Sequence, residues 1–484
     1  MSFLLDYFIH SIAFKTCVCI FFMLNILHVQ SFEPQYSLET RYIDVPLDHF
    51  SAVAKPKYFK LRYLINAKYH VKGGPIFLYT GNEGDISIYG QNTGFMFDIA
   101  PVFNALVVFI EHRYYGQSLP FGNTSFSSPE NLRYLTTTQA LADFAYVVNE
   151  LKKNFFENVI SYDTYPFVAF GGSYGGMLAA WLRMKYPYLV LGAVSSSAPI
   201  FGFPGMASCE LFYEKVTQVF EKYGREQCVK TIKLGWDVIV NLSKTKLGMD
   251  FISSSWKLCN RLKTNEDVEK LLNWLSNIYE NLAMLNYHYP TDFFLPLPAY
   301  PVKVFCDKLT TSYFNDTKGL IEHFSNAIEI YTNYTGKKVC NNLNSTVEDY
   351  SERAWDYQSC TELVFPKCST DADMFITKPW NYENYAAQCY KKFGVKALDP
   401  GWALMAYGGK NLKYYSNIIF SNGMMDPWSC FGVFTNRSAT VWAFNITDAP
   451  HHVDLRHSDP ADNNYILDAR KFHIQAIKQW LNMV

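Results

Sequence analysis

A serine between glycines gives the strongest chemical signal in the sequence. Segment 170–176 reads FGGSYGG and contains the pattern Gly-x-Ser-x-Gly around Ser173. In a nucleophile elbow, the serine occupies a strained turn between a strand and a helix, and small neighbours let the backbone turn tightly. The helix N-terminus that follows the serine favours an oxyanion. The pattern predicts that Ser173 is a hydrolase nucleophile, and the alternative is a glycine-rich turn with an idle serine.

An acid and a histidine follow this serine in the chain order that the elbow requires. Asp426 comes just after one short apolar run, and the adjacent His451 and His452 come after the next. A histidine takes the proton of the serine and a carboxylate fixes the histidine tautomer, so all three side chains must meet at one edge of a sheet. We predict a triad of Ser173, Asp426 and His451.

Another candidate histidine is assigned a structural role, and the sequence lacks motifs for metal or phosphate binding. His112 also follows a predicted strand, but it precedes the serine, so we interpret it as structural. The sequence has no His or Cys pair at zinc spacing, no HExxH segment and no phosphate-binding glycine loop. No metal and no other cofactor is therefore predicted.

Strand patterns alternate with helical patterns around these motifs. Strands are predicted at 58–65, 75–80, 105–111, 166–170, 190–195, 417–421 and 440–445. Helices are predicted at 137–152 and 174–185, with a closing helix at 466–483. Several of the strands are apolar on both faces, as in a covered parallel sheet, so we predict an α/β fold with a doubly wound sheet.

The pattern of apolar residues changes between residues 201 and 390. Buried-strand signals disappear and helical periodicity takes over, as at 211–223 and 266–285. We predict a mostly helical cap at 201–390, inserted between two parts of the sheet domain at 32–200 and 391–484.

The N-terminus predicts a secreted chain. Residues 17–27 form an apolar run of 11 residues behind Lys15, and small residues follow at a position suited to signal peptidase. The run is shorter than the roughly 20 residues that span a bilayer. We predict a cleaved signal peptide at 1–31 and no membrane association afterwards, with a membrane anchor as the alternative.

Cysteine usage agrees with an oxidising compartment. Eight of the 11 cysteines fall between residues 209 and 389, which predicts four disulfides in the cap, although spacing does not give their connectivity. Cys430 is left over, as a buried free thiol or as a partner for another chain. Seven sequons are candidate glycosylation sites: Asn123, Asn241, Asn315, Asn333, Asn344, Asn436 and Asn445.

Composition excludes several classes of protein. There are 43 Lys plus Arg against 44 Asp plus Glu, and no block of like charges, so a charge-driven nucleic-acid binder is excluded. Hydrophobic residues make up 49 % of the chain, which excludes a disordered protein.

Five motifs together resemble a known family. They are Gly81-Asn82-Glu83-Gly84-Asp85, Glu111-His112-Arg113-Tyr114-Tyr115-Gly116, the elbow, Asn422-Gly423 with Asp426-Pro427-Trp428, and His451-His452-Val453-Asp454-Leu455-Arg456. In this order, and in register from about residue 40 to the C-terminus, they resemble the lysosomal Pro-Xaa carboxypeptidases and their relatives, the dipeptidyl peptidases II. The resemblance implies an α/β-hydrolase core, a helical cap over the cleft, and exopeptidase cleavage after proline. It also implies Ser173 as nucleophile, Asp426 as acid and His451 as base.

The resemblance also bears on the branch of the family and on the disulfides. Segment 407–411 and Cys360-Thr361-Glu362 resemble the carboxypeptidase branch, which implies release of a C-terminal residue from short peptides at acidic pH. Cys430-Phe431 and Ala449-Pro450 depart from the family pattern and leave the specificity open. The implied bridges are Cys209–Cys368, Cys228–Cys306, Cys259–Cys340 and Cys360–Cys389.

Substrate contacts are predicted at the same sheet edge. By analogy with this fold, the oxyanion is held by the backbone NH of Tyr174 and by one from Asn82 or Glu83. An apolar slot for proline is predicted from Met177 and Trp428, with ordinary core packing as the alternative.

Charged residues do not settle which end of a peptide is recognised. Arg456 suits a substrate carboxylate, whereas Glu83 and Asp85 suit a free amine. Release of N-terminal Xaa-Pro dipeptides therefore stays open, as do an esterase and a non-catalytic binding protein. The final compartment, lysosomal or extracellular, and a homodimer are also left open.

Overall fold

The computed structural model of the chain describes residues 36–52, 54–154, 165–310, 316–343, 350–396 and 401–483. The predicted signal peptide at 1–31 and the sequons at Asn315 and Asn344 lie outside these residues. All elements below belong to the unit Leu38–Val484. Among the described residues, no helix is both long and apolar enough to cross a bilayer.

Eight strands form one mixed sheet in the order β1-β2-β4-β3-β5-β6-β9-β10. The strands are β1 (Glu39–Pro46), β2 (Tyr58–Asn66), β3 (Ile76–Thr80), β4 (Leu106–Ile110), β5 (Phe167–Gly172), β6 (Val190–Ser196), β9 (Ile418–Gly423) and β10 (Val441–Ile446). β1 and β2 run antiparallel at one edge, and the pairs from β4 to β10 are parallel. A separate two-stranded ribbon joins β7 (Thr291–Asp292) to β8 (Pro296–Leu297).

Burial explains which strands the sequence predicts. Every residue of β3, β4 and β5 is buried, as expected of strands covered on both faces. The edge strand β1 was not predicted, because most of its side chains are exposed or half-buried and it therefore lacks an apolar run. The predicted α/β fold is confirmed by this mostly parallel sheet and its helices.

Six helices accompany the sheet. They are α1 (Ile86–Asn92), α2 (Phe95–Phe103), α3 (Pro129–Leu132), α4 (Thr137–Asn154), α5 (Tyr174–Lys185) and α14 (Asn464–Trp480). α5 is buried along nearly its whole length, from Tyr174 to Met184, and packs against β5 and β6. This packing holds the N-terminus of α5 at the carboxyl end of β5.

Between β6 and β9 the chain forms eight helices in the described residues. They are α6 (Leu211–Leu242), α7 (Lys246–Ser255), α8 (Asn265–Met284), α9 (Pro301–Thr310), α10 (Thr317–Thr332), α11 (Tyr350–Thr361), α12 (Tyr382–Phe393) and α13 (Trp402–Tyr407). We call residues 211–393, from α6 to α12, the helical segment. α6 is kinked at Arg225, whose φ is 67°.

Four disulfides fasten the helical segment. They are Cys209–Cys368, Cys228–Cys306, Cys259–Cys340 and Cys360–Cys389, the pairs that the family resemblance implies. Cys430 is the free cysteine of the described residues. Closing loops of this length restricts the unfolded chain and stabilises each enclosed part by about 2–4 kcal/mol per bridge.

Candidate active site

Ser173 stands in the tight turn between β5 and α5. Its backbone has φ 58° and ψ −127°, a conformation that costs free energy for any residue with a Cβ atom. A Cβ atom on Gly171 would lie 2.1 Å from the carbonyl oxygen of Gly175, and one on Gly172 would lie 2.8 Å from the ring of His452. Gly171 is therefore required by the close approach of the α5 backbone, as the elbow pattern predicts, and Gly172 by the close approach of the His452 ring.

Asp426 and His451 form a buried hydrogen-bonded pair. Oδ2 of Asp426 lies 2.8 Å from Nδ1 of His451, and the two side chains are 0 % and 2 % exposed. Oδ1 of the same carboxylate accepts from the backbone NH of Trp428 at 3.0 Å, which fixes the orientation of the carboxylate. Because the carboxylate accepts from Nδ1, Nε2 of His451 is left to exchange a proton.

Ser173 and His451 line the same cavity, whose volume is about 240 Å³. Met177 and Trp428 also line it, together with further apolar residues that include Pro199, Phe212, Met284 and Phe365. Trp428 packs against Phe212 with ring centroids 4.7 Å apart. The structure therefore brings both predicted slot residues to the cavity. Phe212, Met284 and Phe365, which the sequence analysis missed, come from the helical segment.

The loop after β3 forms the other wall. Asn82 and Glu83 line the cavity. The side-chain amide of Asn82 donates to the carbonyl of Gly172 at 2.7 Å, which ties this loop to the elbow. Tyr174 is the first residue of α5, and backbone NH groups in the first turn of a helix have no intrahelical acceptor. Both predicted oxyanion elements therefore border the same cavity as Ser173.

Asp85 belongs to a buried ion-pair cluster and does not line the cavity. Its carboxylate accepts from Nη2 of Arg62 at 2.5 Å and from the backbone NH of Ser87, which caps α1. Arg62 also donates to Glu111, at 2.5 Å and 3.2 Å. The cluster holds the loop before α1 in place. The Asp85 carboxylate, predicted from the sequence to suit a substrate amine, is bound to Arg62 instead.

Arg456 is also removed from the cavity. Its side chain is buried over the ring of Tyr287, 4.5 Å from the centroid, and donates to Tyr289 and Thr291. The cavity lining does not include it. The substrate-carboxylate contact predicted for Arg456 therefore finds no support in its position.

The two adjacent histidines have different surroundings. The backbone NH of His452 donates to Oγ of Ser197 at 2.8 Å, and its ring lies edge-on to Phe293. Burial holds the pKa of His452 well below its usual value, and the charges of His451 and Arg456 lower it further. His452 is therefore neutral and lacks the carboxylate partner that His451 has.

A second buried Asp–His pair lies nearby and was not predicted. Asp454 accepts from Nε2 of His473 at 2.8 Å and from the hydroxyls of Ser196 and Ser421 at 2.6 Å and 2.7 Å. Burial alone would raise the pKa of Asp454, but these hydrogen bonds outweigh it and hold the pKa at about 2. Neither Asp454 nor His473 lines the cavity.

A polar network behind the elbow joins it to the helical segment. The hydroxyl of Tyr174 accepts from Gln358 at 2.9 Å and lies 3.0 Å from Nε2 of His112. Gln358 also donates to Glu362 at 3.1 Å, and Glu362 accepts from the backbone NH of Thr137 at 2.6 Å. Burial raises the pKa of Glu362 to about 7, although these donors lower it in part. His112 is structural, as its position in the sequence suggests.

Further predicted sites are surface or scaffold features. Among the described sequons, the asparagine is exposed at Asn123, Asn241, Asn436 and Asn445. It is half-buried at Asn333. The thiol of Cys430 donates to the carbonyl of Pro427, and burial raises its pKa, so this thiol is poorly nucleophilic. Among the described residues, no group of three or more His, Cys, Asp or Glu is arranged to hold a metal ion.

Comparisons with known proteins identify the family of this chain. The family model described as serine carboxypeptidase S28 matches residues 45–473. The lysosomal Pro-X carboxypeptidase of Bos taurus is 43 % identical over 93 % of this chain and 88 % of its own length. The human protein of the same name is 42 % identical over 91 % of this chain and 88 % of its own length. A solved peroxisomal α/β-hydrolase from Saccharomyces cerevisiae covers 92 % of this chain and 89 % of its own, with 10 % identity and a TM-score of 0.37. The chain belongs to the serine carboxypeptidase S28 family.

Proposed function

We propose that this protein is a serine carboxypeptidase that removes the C-terminal residue of short peptides whose penultimate residue is proline. The observation that carries the proposal is one cavity lined by Ser173, by the Asp426-bound His451 and by an apolar slot. Similarity to relatives named Pro-X carboxypeptidases supports the substrate class.

In the proposed reaction, Oγ of Ser173 attacks the carbonyl carbon of the proline while Nε2 of His451 takes the hydroxyl proton. Asp426 stabilises the imidazolium that forms. The oxyanion is held by the backbone NH of Tyr174 and one from Asn82 or Glu83. His451 then passes the proton to the leaving nitrogen of the C-terminal residue.

Water completes the cycle in the second half of the reaction. His451 removes a proton from the water as its oxygen attacks the acyl-enzyme, and then returns the proton to Oγ of Ser173. The second product is the shortened peptide, which ends in proline. His451 carries the proton in each transfer, so this half of the reaction needs no reactant besides water.

Proline specificity is assigned to the apolar slot. The pyrrolidine ring has no NH group, so its pocket needs shape and apolar surface rather than a hydrogen-bond acceptor. Met177, Trp428 and Phe212 supply this surface beside Ser173. Phe212 comes from α6, so the helical segment contributes to selectivity.

We also propose the domain division and the compartment. The cap is taken as residues 201–390 between core parts at 32–200 and 391–484, because the described residues between β6 and β9 are mostly helical. A lysosomal or secreted location after removal of residues 1–31 fits the four disulfides and the relatives' names.

Dipeptidyl peptidase activity is the second candidate, since Glu83 lines the cavity and, if ionised, would suit a free amine. Product analysis on two peptides separates the two. One peptide is blocked at the N-terminus and ends in Pro-Phe, and the other carries a free amine before Xaa-Pro. We expect phenylalanine from the first, and no product from a Ser173→Ala control. Release of Xaa-Pro dipeptides with an intact blocked peptide would replace this proposal with the second candidate.

A further inference from the structure

The cavity that would receive the C-terminus of a peptide has no basic wall. Among the described residues that line it, none is Lys or Arg, and the ionisable carboxyl groups are those of Glu83 and Glu280. A carboxypeptidase must nevertheless recognise a substrate carboxylate, and arginine or lysine usually does so. The contact must therefore come from another kind of donor.

Three basic residues that contact neighbours of this cavity are engaged with other groups. Arg456 is buried over the tyrosines behind His452, and Arg62 binds Glu111 and Asp85. Lys367 lies 2.8 Å from the carboxylate of Glu280, with its ammonium group over the ring of Phe212. Freeing any of them would leave a buried carboxylate or tyrosine cluster without its partner, which is costly.

Among the described residues that line the cavity, Glu83 is the one with a buried side-chain polar atom that lacks a hydrogen-bond partner. Its Oε2 is buried and has no hydrogen-bond partner among the described residues. Buried polar atoms are almost always paired, and Glu83 lines the cavity, so this oxygen is open to a partner that a ligand supplies. Glu83 stands on the same loop as Asn82 and lines the cavity that also contains Ser173.

The surroundings of Glu83 favour its neutral form. Burial raises the pKa of this carboxyl group, and its own backbone NH, His451 and Asn82 offset that only in part. The other titratable groups that act on it electrostatically are phenols: Tyr79, Tyr89, Tyr115 and Tyr174. No arginine or lysine is among these groups.

We propose that the protonated carboxyl group of Glu83 donates a hydrogen bond to the C-terminal carboxylate of the peptide. This inference rests on the proposed carboxypeptidase function and deepens it. An O–H···O⁻ bond of this kind is short and strong in a buried site. An ionised Glu83 would instead repel the carboxylate and attract an amine, so the protonation state of one residue selects which end of the peptide enters.

An acidic optimum follows from this contact. A carboxyl group with a raised pKa stays protonated in acid and loses its proton as the pH rises. Substrate binding should therefore weaken toward neutral pH, by up to about tenfold in KM per pH unit once Glu83 ionises. A substrate that carries no C-terminal charge should not show this weakening.

The test measures KM against pH from 4.5 to 8 with N-blocked peptides ending in Pro-Phe and in Pro-Phe-amide. With the wild-type enzyme, we expect KM for the acid to rise with pH by at least tenfold more than KM for the amide. Glu83→Gln, a neutral mimic that keeps an NH donor, should bind the acid with a nearly flat pH profile. Glu83→Ala should raise KM for the acid at pH 5 about tenfold. The control Glu269→Gln changes an exposed glutamate on α8 and should keep the wild-type slope.

The outcomes are distinct. If the wild-type enzyme cleaves the blocked acid but acid and amide show the same pH dependence of KM, the role of Glu83 is wrong while the proposed function stands. The same holds if Glu83→Gln keeps the wild-type slope, or loses activity as Glu83→Ala does at pH 5. If the wild-type enzyme leaves the blocked acid intact at every pH, the proposed function fails and this inference falls with it. The wild-type comparison needs no variant, so it decides the matter even if Glu83→Gln does not fold.

Discussion

Two buried Asp–His pairs lie close together in this molecule, and only one is placed for catalysis. Asp426 and His451 are 2.8 Å apart, and so are Asp454 and His473. His451 lines the cavity, whereas His473 is fully buried on α14 against Phe95. The same chemical pair can therefore serve a reaction or a fold, and access to a cavity beside a nucleophile distinguishes the two.

The partners of each carboxylate agree with this division. Asp454 accepts two serine hydroxyls from the ends of β6 and β9, and so links α14 to the sheet. Asp426 accepts a single backbone NH besides its histidine, in the short turn that precedes Cys430. Asp454 thus joins β6, β9 and α14, whereas Asp426 orients the ring of His451.

The largest effect is expected from removing the reacting groups. Ser173→Ala and His451→Ala should each lower kcat by roughly 10⁴- to 10⁶-fold, since either loss disables the whole unit. Thermal unfolding should change little in Ser173→Ala, because Ser173 is strained. It should shift to lower temperature in His451→Ala, because that change removes the partner of the buried Asp426 carboxylate. Steady-state kinetics together with calorimetry check this. Residual activity above one hundredth of the wild type would remove the residue concerned from the triad.

Replacing Asp426 and Asp454 with asparagine in separate variants tests the difference between the two Asp–His pairs. Asp426→Asn should lower kcat about 10⁴-fold, because the asparagine can hold the wrong tautomer of His451. It should cost less stability than Asp454→Asn, because the Asp426 carboxylate accepts two side-chain or backbone hydrogen bonds and the Asp454 carboxylate accepts three. Asp454→Asn should cost roughly 1–3 kcal/mol of stability, because it disrupts the buried hydrogen bonds of this carboxylate to His473, Ser196 and Ser421. The protein that remains folded should keep near-wild-type kcat. Denaturant unfolding and active-site titration separate the two effects, and a reversed pattern would contradict the division.

A smaller effect is expected from Glu362, in the polar network behind the elbow. Because burial raises its pKa from 4.5 to about 7, the folded state binds this proton more tightly than the unfolded state does. Stability should therefore fall as the pH rises from about 4.5 to 7, by about 3 kcal/mol in total. Unfolding free energies of the wild type and of Glu362→Gln at several pH values check this. The fall should be smaller in the variant by that amount, and equal curves would refute the assignment.

The smallest catalytic effect is expected at His452. Its ring packs on Phe293 and beside Gly172, and it has no carboxylate partner. His452→Ala should lower kcat far less than His451→Ala does, by about tenfold, through loosening of the loop. Comparing the two folded variants by kcat measures the difference. Equal losses would leave the choice between the neighbours unsupported.

Much of the sheet edge could be predicted from the sequence because local patterns encode it. Gly171 and Gly172 meet steric demands around Ser173, and most of the seven predicted strands are short, largely buried runs. The positions of Asp426 and His451 followed from chain order. β1 was missed because most of its side chains are exposed or half-buried, so it carries no apolar run.

The other residues depend on contacts between distant parts of the chain. Phe212 and Phe365 reach the cavity only through the packing of the helical segment, and Gln358 meets Tyr174 across 184 positions. No local pattern marks such pairs. Arg456 shows the reverse error: its charge suggested a substrate contact, but its tyrosine neighbours bury it away from the cavity.

The most direct test of the account is the rate of covalent labelling by a fluorophosphonate, followed by peptide mapping. The account predicts a single labelled residue, Ser173. The labelling rate should fall at least a hundredfold in Asp426→Asn and stay within a few-fold of the wild type in folded Asp454→Asn, since serine reactivity depends on the oriented histidine. Labelling at another serine, or an equal loss of rate in both aspartate variants, would contradict the assignment of Ser173, Asp426 and His451 as the catalytic unit.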